Sequence, residues 1–598
     1  MFYNNLKILL NNSQRLKLYI IMTGSLFSTI FEVVGIGSIP IFIMLITDID
    51  FLISKIPNFI SINFIYQIGQ NKLIIVASIV LGLIFIFKNL YLFLLLFFQN
   101  KLMMELRHSA ANKIFKYYIN SPYLNHYHIN PATYVRTIEA DVGNTFLVIG
   151  CYIAFIREIL ILISVFLLLV FTDVFISFFS LLLLVLPVLI FYFYYRKTLK
   201  DKGQTLVEKT GERIKITNQS LGGIKETKIL NRENFFLDKF FKTNEIIEKI
   251  SFFSSLITAT PRIFLEVSAL LAITSICSIL IMFGRPVDAI LPMISLLAIS
   301  AVRFIPALNI ITSSLTTIRI RKYSIDHIVD LIKKSNLLPE KKKPEGVYKK
   351  DLGKNEIFSN NIKLKNISFN YERNKKVAVN NINIEIAKGK SVGLIGKSGS
   401  GKSTLVDIII GLLEPSIGEI FIDDNNIGTK KISWQKQLGY VPQEIYLLDD
   451  TIRNNITFGI EKEEIDERLL SDVVEKSQLK NLINSLPNKL DTLIGDRGAR
   501  LSGGEKQRIG IARALYNKPK VMIFDEATSS LDLYNENKIL NEIYENKKDK
   551  TLIIISHRNN TVKYCNLIYV MEDGKIIDNG TFDQIMKKHS YLKEDVVT

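Results

Sequence analysis

Eight consecutive residues, Gly396-Lys397-Ser398-Gly399-Ser400-Gly401-Lys402-Ser403, have the spacing G-x-x-x-x-G-K-[ST]. A strand-forming run, Ser391–Ile395, precedes them, and a helical stretch from Thr404 to Leu413 follows. In that setting the glycines let backbone N–H groups turn inward around an anion, at a helix N-terminus that favours negative charge. Lys402 adds a point charge suited to β- and γ-phosphates, Ser403 offers Mg²⁺ a hydroxyl, and Thr404 completes the run. These residue types fit a nucleoside triphosphate.

Farther on, the apolar run Val521-Met522-Ile523-Phe524 ends in Asp525-Glu526. Asp525 suits the Mg²⁺ shell, directly or through water, and Glu526 can polarise an attacking water. An apolar strand ending in two carboxylates is common by itself. Downstream of a phosphate loop it becomes specific.

Between the two lies Leu501-Ser502-Gly503-Gly504-Glu505. With them it resembles the signature of the ATP-binding cassette (ABC) family, which other phosphate-loop ATPases lack. The resemblance extends to Tyr371, to Gln443 in Val441-Pro442-Gln443, to Ser530-Leu531-Asp532, and to His557 after the strand-like run Thr551–Ile555. All stand in the family's order. The resemblance covers residues 360–588 and includes the apolar half before them.

What it implies is an α/β phosphate-loop ATPase that binds ATP with Mg²⁺. Tyr371 would stack on adenine, and Gln443 would sense Mg²⁺ and link to the membrane half. Ser502, Gly503 and Gly504 would clamp the γ-phosphate of ATP held by a second subunit. His557 would contact the same phosphate, Asp532 would join the interface between cassettes, and Glu526 would be the catalytic carboxylate, with His557 and Gln443 beside it. A hydroxyl, two exposed glycine N–H groups and a helix N-terminus fit a phosphate clamp physically. The signature does not close onto its own phosphate loop in this family, so one cassette per chain implies a homodimer. Ile494-Gly495-Asp496-Arg497-Gly498 resembles the segment through which exporter cassettes meet their coupling helices, with Asp496 where exporters usually carry Glu.

These residues need a scaffold, and composition splits the chain in two. It has 74 Lys and Arg against 57 Asp and Glu, a net +17, with 48% hydrophobic residues. The apolar residues concentrate before residue 315. Leu73–Phe98 has one charge, Lys88, in 26 residues, and Ile159–Tyr195 has one, Asp173, in 37. Crossing a bilayer takes roughly 20 apolar residues, which excludes a wholly soluble enzyme and a disordered chain. Six spans fit, at about 17–47, 72–98, 143–171, 174–195, 255–283 and 287–315, with tight turns at Thr172-Asp173 and Gly284-Arg285-Pro286. The expected fold class is a multidomain membrane protein. An all-α six-helix transmembrane domain over 1–335 is followed by a Lys- and Pro-rich linker over 336–359 and an α/β ATPase domain over 360–598.

Basic residues set the orientation. Thirteen Lys/Arg in 196–254 and five in 99–142, against two, none and one in the other connections, place both long connections and both termini in the cytoplasm. The membrane implied is a bacterial inner membrane. The long connections read as helical rods that turn near Ser121-Pro122 and Leu221-Gly222-Gly223, where short coupling helices are expected. Phe51–Gln70 fits an interfacial helix on the outer face and an ordinary loop equally. The first apolar stretch is too long for a cleavable signal and reads as a retained span. Cys151, Cys277 and Cys565 read as apolar filler, and His126 and His128 as plain surface.

A charge at a helix centre costs roughly 2.5–3.5 kcal/mol on insertion scales. Glu32 lies mid-span in the first segment, Arg157 and Glu158 open the third, Arg262 and Glu266 begin the fifth, and Arg303 lies in the sixth. Arg157, Glu158 and Arg262 read as helix-end or structural pairs, and Glu32 and Arg303 as cavity residues. Three arginines not offset by three deep acids suit an anionic substrate. Thr260-Pro261-Arg262-Ile263-Phe264-Leu265-Glu266, Val302-Arg303-Phe304-Ile305-Pro306, Glu32 and Ile224–Leu230 are similar to stretches of bacterial lipid-linked oligosaccharide flippases. That second resemblance implies a polyprenyl-pyrophosphate glycan as cargo, with Glu32, Arg157, Arg262 and Arg303 as its contacts.

Other classes fit less well. An exporter of peptides, lipid A or drugs shares the same signals, although only 16 residues precede the first span where peptide exporters often carry a protease domain. A soluble ABC ATPase of DNA repair or translation would suit the +17 charge but has no spans, so no nucleic-acid partner is expected. Importers keep spans and cassette on separate chains. An inactive, channel-like cassette conflicts with intact Lys402, Asp525, Glu526 and His557.

Overall fold

The computed structural model describes residues 2–47, 70–171, 174–282, 287–337, 358–371, 377–527, 538–539, 550–556 and 558–589. The expected turns at Thr172-Asp173 and Gly284-Arg285-Pro286, nearly all of Phe51–Gln70, most of the linker, Ser530-Leu531-Asp532 and His557 lie outside the described residues. The chain divides into two units, residues 1–121 with 125–340, and residues 122–124 with 341–598.

The first unit is helical. Asn12–Thr47, Gln70–Asn120, Val142–Val170, Val174–Gly222, Glu233–Met282 and Val287–Ile320 carry the six apolar runs. Among the described residues, five helices are long and apolar enough to cross a membrane by length and composition, and the expected fourth span forms the first half of Val174–Gly222. Gln70–Asn120 runs 51 residues, and Val174–Gly222 and Glu233–Met282 run 49 and 50. At 1.5 Å per residue such helices reach about 75 Å, more than twice a hydrocarbon core of ~30 Å. The spans therefore continue past the bilayer as rods, as expected. They end at two short helices, Tyr123–His128 and Ile224–Ile229. Asn12–Thr47 packs on Gln70–Asn120, Val142–Val170 on Val287–Ile320, and Val174–Gly222 on Glu233–Met282. Ile161, Val165, Leu169, Leu265 and Phe304 form one buried apolar core, and Leu102, Leu106, Ile114, Phe146 and Ile328 another.

The last span breaks at Arg321 and restarts as Lys322–Leu337. A π-helical turn, Thr137–Asp141, interrupts the entry to the third span. It buries Asp141, which accepts from Ser324 Oγ at 3.0 Å and Arg136 Nε at 3.3 Å and faces His327 Nδ1 at 3.1 Å. Nothing in the residue pattern announces this joint.

The second unit holds two sheets. β1 (Asn361–Phe369), β2 (Val379–Ala387), β4 (Ile417–Ile422) and β5 (Asn425–Asn426) form an antiparallel sheet ordered β2-β1-β4-β5. β3 (Ser391–Ile395), β6 (Leu438–Val441), β7 (Val521–Asp525), β8 (Thr551–Ile555), β9 (Leu567–Glu572) and β10 (Lys575–Gly580) form a six-stranded sheet ordered β10-β9-β3-β8-β7-β6. Pairings from β9 through β6 are parallel, and β3, β7 and β8 are buried along their whole length. Continuous burial is what a parallel strand covered on both faces requires. Ligands of such sheets bind at the carboxyl ends of the strands, and those ends carry the phosphate loop (β3), Gln443 (β6) and Asp525-Glu526 (β7).

Candidate functional site: a phosphate loop and a buried charge cluster

The loop after β3 needs glycine. Gly396 stands at φ +150, where an added Cβ would lie 2.1 Å from the Met571 carbonyl oxygen, and Gly401 at φ +101, where a Cβ would lie 2.4 Å from that of Ala378. No side chain fits either place. The helix Lys402–Ile409 then opens with its N–H groups facing the loop, and it ends four residues before the expected Leu413 because Gly411, at φ +73, turns the chain out. Lys397, Ser398 and Gly399 form the crest of the loop. Buried Lys402 donates to the carbonyls of Gly396 at 2.8 Å and Lys397 at 3.0 Å, so the ammonium spans the loop with a proton to spare. Burial pulls its pKa down, and the charges of Glu526 and Asp525 work against that shift. Ser400 is buried at the loop base, and the Tyr371 hydroxyl stands 3.4 Å from Thr404 Oγ1 with its ring edge-on to Phe369.

The carboxylates face the same loop. Tyr440 donates to Asp525 Oδ2 at 3.4 Å, while Asp525 Oδ1 is buried without a hydrogen-bond partner among the described residues. Burial and then the neighbouring Glu526 charge push the Asp525 pKa up, opposed by Tyr440, Ser403 and Lys402. Asp407 is pushed up to about 6 by burial and by Asp525. An orphaned carboxylate oxygen in the low-dielectric interior is costly unless it meets a cation. With the Ser403 hydroxyl beside it, the donor set fits Mg²⁺, a hard ion that takes oxygen ligands. Glu526 sits at φ +50, a strained conformation of the kind found at functional sites, and accepts from Gln443 Nε2 at 2.8 Å.

The signature opens the helix Gly503–Tyr516 with a capping box. Ser502 Oγ accepts from the Glu505 amide at 3.3 Å, and Glu505 accepts from the Ser502 amide at 2.7 Å. That leaves the amides of Gly503 and Gly504 as donors of the first turn, on a surface where Ser502 and Gly503 are exposed. Asp496 begins a 3₁₀ turn just before it.

The charges of the first unit form a chain. Glu32 meets Lys88 at 2.9 Å and Arg303 at 3.0 Å; Arg303 lies 3.8 Å from Glu158, which meets Arg157 at 3.0 Å. Helices of the first, second, third and sixth spans are thereby tied together. This corrects the expectation of unoffset arginines, because Arg157 and Arg303 each face a buried acid. Arg262 stands apart from them. It is 68% exposed and pairs with Glu266 one turn along its own helix. Lys88, as the lone charge in a 26-residue apolar run, was the available signal for a residue the sequence reading passed over. Three cations against two carboxylates leave the cluster one positive charge in excess. Arg157 Nη1 and Arg303 Nε are buried with no hydrogen-bond partner among the described residues.

The family description "ABC transporter" matches residues 379–529, and "ABC transporter transmembrane region" matches residues 22–302. The chain belongs to the ABC transporter superfamily, with a helical transmembrane region fused ahead of the ATPase domain, and such a domain implies ATP binding. It is 35% identical over 256 residues to the ATP-dependent lipid A-core flippase of Haemophilus influenzae, covering 43% of each chain. It is 39% identical over 232 residues to the alpha-hemolysin translocation ATP-binding protein of Escherichia coli O157:H7, covering 39% of this chain and 33% of that protein. The chain thus matches less than half the length of these curated relatives. Over 98% of both chains it shares the fold of a bacterial Atm1-family ABC exporter solved with ATP bound, with a TM-score of 0.76 at 19% identity.

Proposed function

We propose that the chain is an ATP-driven exporter that works as a homodimer and flips a polyprenyl-pyrophosphate oligosaccharide from the cytoplasmic to the outer leaflet of a bacterial inner membrane. Its ATPase domain supplies the energy. Glu526, held by Gln443 in a strained backbone conformation, is aimed to take a proton from water attacking the γ-phosphate. Lys402 and the loop amides steady the phosphates, and Ser502, Gly503 and Gly504 of a second copy close the site from the far side. Mg²⁺, held by Ser403, Asp525 and Gln443, would neutralise charge on the β- and γ-oxygens. His557 and Asp532 join the site on the strength of the family resemblance. The short helices Tyr123–His128 and Ile224–Ile229 transmit the motion as coupling helices.

One observation supports the anionic cargo. The buried charge cluster keeps one positive charge in excess, and although Glu158 Oε2 also lacks a hydrogen-bond partner among the described residues, the two unpartnered guanidinium N–H groups of Arg157 and Arg303 suit phosphate oxygens. Arg157 and Arg303 contact the pyrophosphate in this reading, Glu32 orients Arg303, and Arg262 stays outside. The test is reconstitution in liposomes with a lipid-linked glycan, a cationic drug and a peptide offered in turn. We expect ATP-dependent flipping of the glycolipid that is lost in Arg303→Ala and impaired in Arg303→Lys, since an ammonium lacks the planar fork. Export of the drug or peptide with no glycolipid movement contradicts the cargo and leaves the exporter standing. Normal flipping by Arg303→Ala contradicts the cluster's role.

A further inference from the structure

We propose that the fourth and fifth spans hold an acyl chain of an anionic phospholipid from the cytoplasmic leaflet, in a groove separate from the charge cluster and independent of the cargo. A concave apolar pocket of about 420 Å³ lies between the helices Val174–Gly222 and Glu233–Met282, lined among others by Pro187, Ile190, Phe191, Tyr194, Tyr195 and Pro261. The two helices run antiparallel, with Tyr195 against Phe253 at 6.0 Å between ring centroids. Pro187 lies eight residues up one helix from that contact and Pro261 eight residues up the other, so the prolines share one level. Each removes a backbone N–H and crowds the preceding turn, which keeps two packed helices from closing along that stretch.

Three features choose the occupant. The wall from Leu186 to Tyr195 rises about 14 Å at 1.5 Å per residue, close to one leaflet of a ~30 Å hydrocarbon core. Its mouth carries two tyrosines, the residue type that settles at headgroup level. Directly beyond them stand the exposed Arg196, whose guanidinium rests 5.3 Å from the Phe193 ring centroid, and the exposed Lys197 and Lys200, at the level where a phosphate of the cytoplasmic leaflet would lie. Length, aromatic rim and charge together match one lipid with an anionic head and its chain in the groove.

The test uses the full chain in liposomes, with Ile190→Trp as the reporter and Ile163→Trp, on the exposed side of another span, as the control. Trp434 is fully buried in the ATPase unit, so its emission is constant. Retained ATP turnover certifies each variant's fold. We expect brominated phosphatidylglycerol to quench Ile190→Trp at a several-fold lower mole fraction than brominated phosphatidylcholine. The control should not distinguish the two lipids. Adding Arg196→Gln with Lys197→Gln should abolish the preference. Equal quenching by both lipids, or a preference that survives loss of the two basic residues, overturns the proposal. Quenching by neither lipid, with the control quenched, would show a second copy of the chain on the groove, and overturns it as well.

Discussion

Two regions of this molecule bury charges, and they do so to opposite ends. At the phosphate loop Asp525 keeps an oxygen with no hydrogen-bond partner among the described residues, and Glu526, at a strained φ, accepts from the Gln443 amide. In the membrane cluster each acid meets two cations: Glu32 pairs with Lys88 and Arg303, and Glu158 pairs with Arg157 while its Oε2, 3.8 Å from Arg303, has no hydrogen-bond partner among the described residues. In the function proposed above, the first arrangement carries electrostatic strain for a ligand to relieve. The second holds four spans in register and retains only a small excess of positive charge. Removing an acid from the first should stop chemistry and spare the fold; removing one from the second should loosen the fold.

The sharpest way to break this contrast is Glu158→Ala. It strands Arg157 and weakens the hold on Arg303, and breaking a buried pair on one side costs about 3–5 kcal/mol. Denaturant unfolding in detergent should show that loss; unchanged stability would mean the cluster is not structural. Lys402→Ala comes next. ATP affinity should fall about 100-fold, near 2.7 kcal/mol, with the melting temperature little changed.

Asp407 offers a smaller effect with a defined sign. Its folded pKa is raised to about 6, so the folded state favours the neutral acid; the benefit is full at low pH and is lost as pH rises through about 6. Asp407→Asn should therefore stabilise the nucleotide-free protein by about 1 kcal/mol at pH 8, after allowance for partial solvent screening, and by almost nothing at pH 4. A gain at pH 4 instead would reverse the assignment. Smallest is Arg262→Ala, which removes one partner of an outward-facing pair confined to a single helix. Flipping and stability should both stay near wild type, and a transport defect would bring Arg262 back into the cargo path.

The contrast also explains what the sequence disclosed. The phosphate loop, Asp525-Glu526 and the signature are contiguous, because each is built from one strand end or one helix start, so their spacing survives in the linear string. The six apolar runs were legible for a similar reason: hydropathy is a local property. Pairing in the membrane cluster was not. Glu32 and Arg303 are 271 positions apart, and only the packing of the Asn12–Thr47 and Val287–Ile320 helices brings them within 3.0 Å. Arg262 forms the structural pair its residue pattern suggested, with Glu266 one turn along the same helix, and lies apart from Arg303. The Asp141–His327 joint stayed hidden for the same reason as the Glu32–Arg303 pair, with a π-turn adding a shift that no regular periodicity encodes.

The claim that most needs testing is that Glu526, oriented by Gln443, is the carboxylate that turns over ATP. Purified Glu526→Gln should bind MgATP as tightly as the wild type and lose at least about 100-fold in steady-state hydrolysis, the scale of a positioned general base. Hydrolysis at the wild-type rate in that variant would contradict the account.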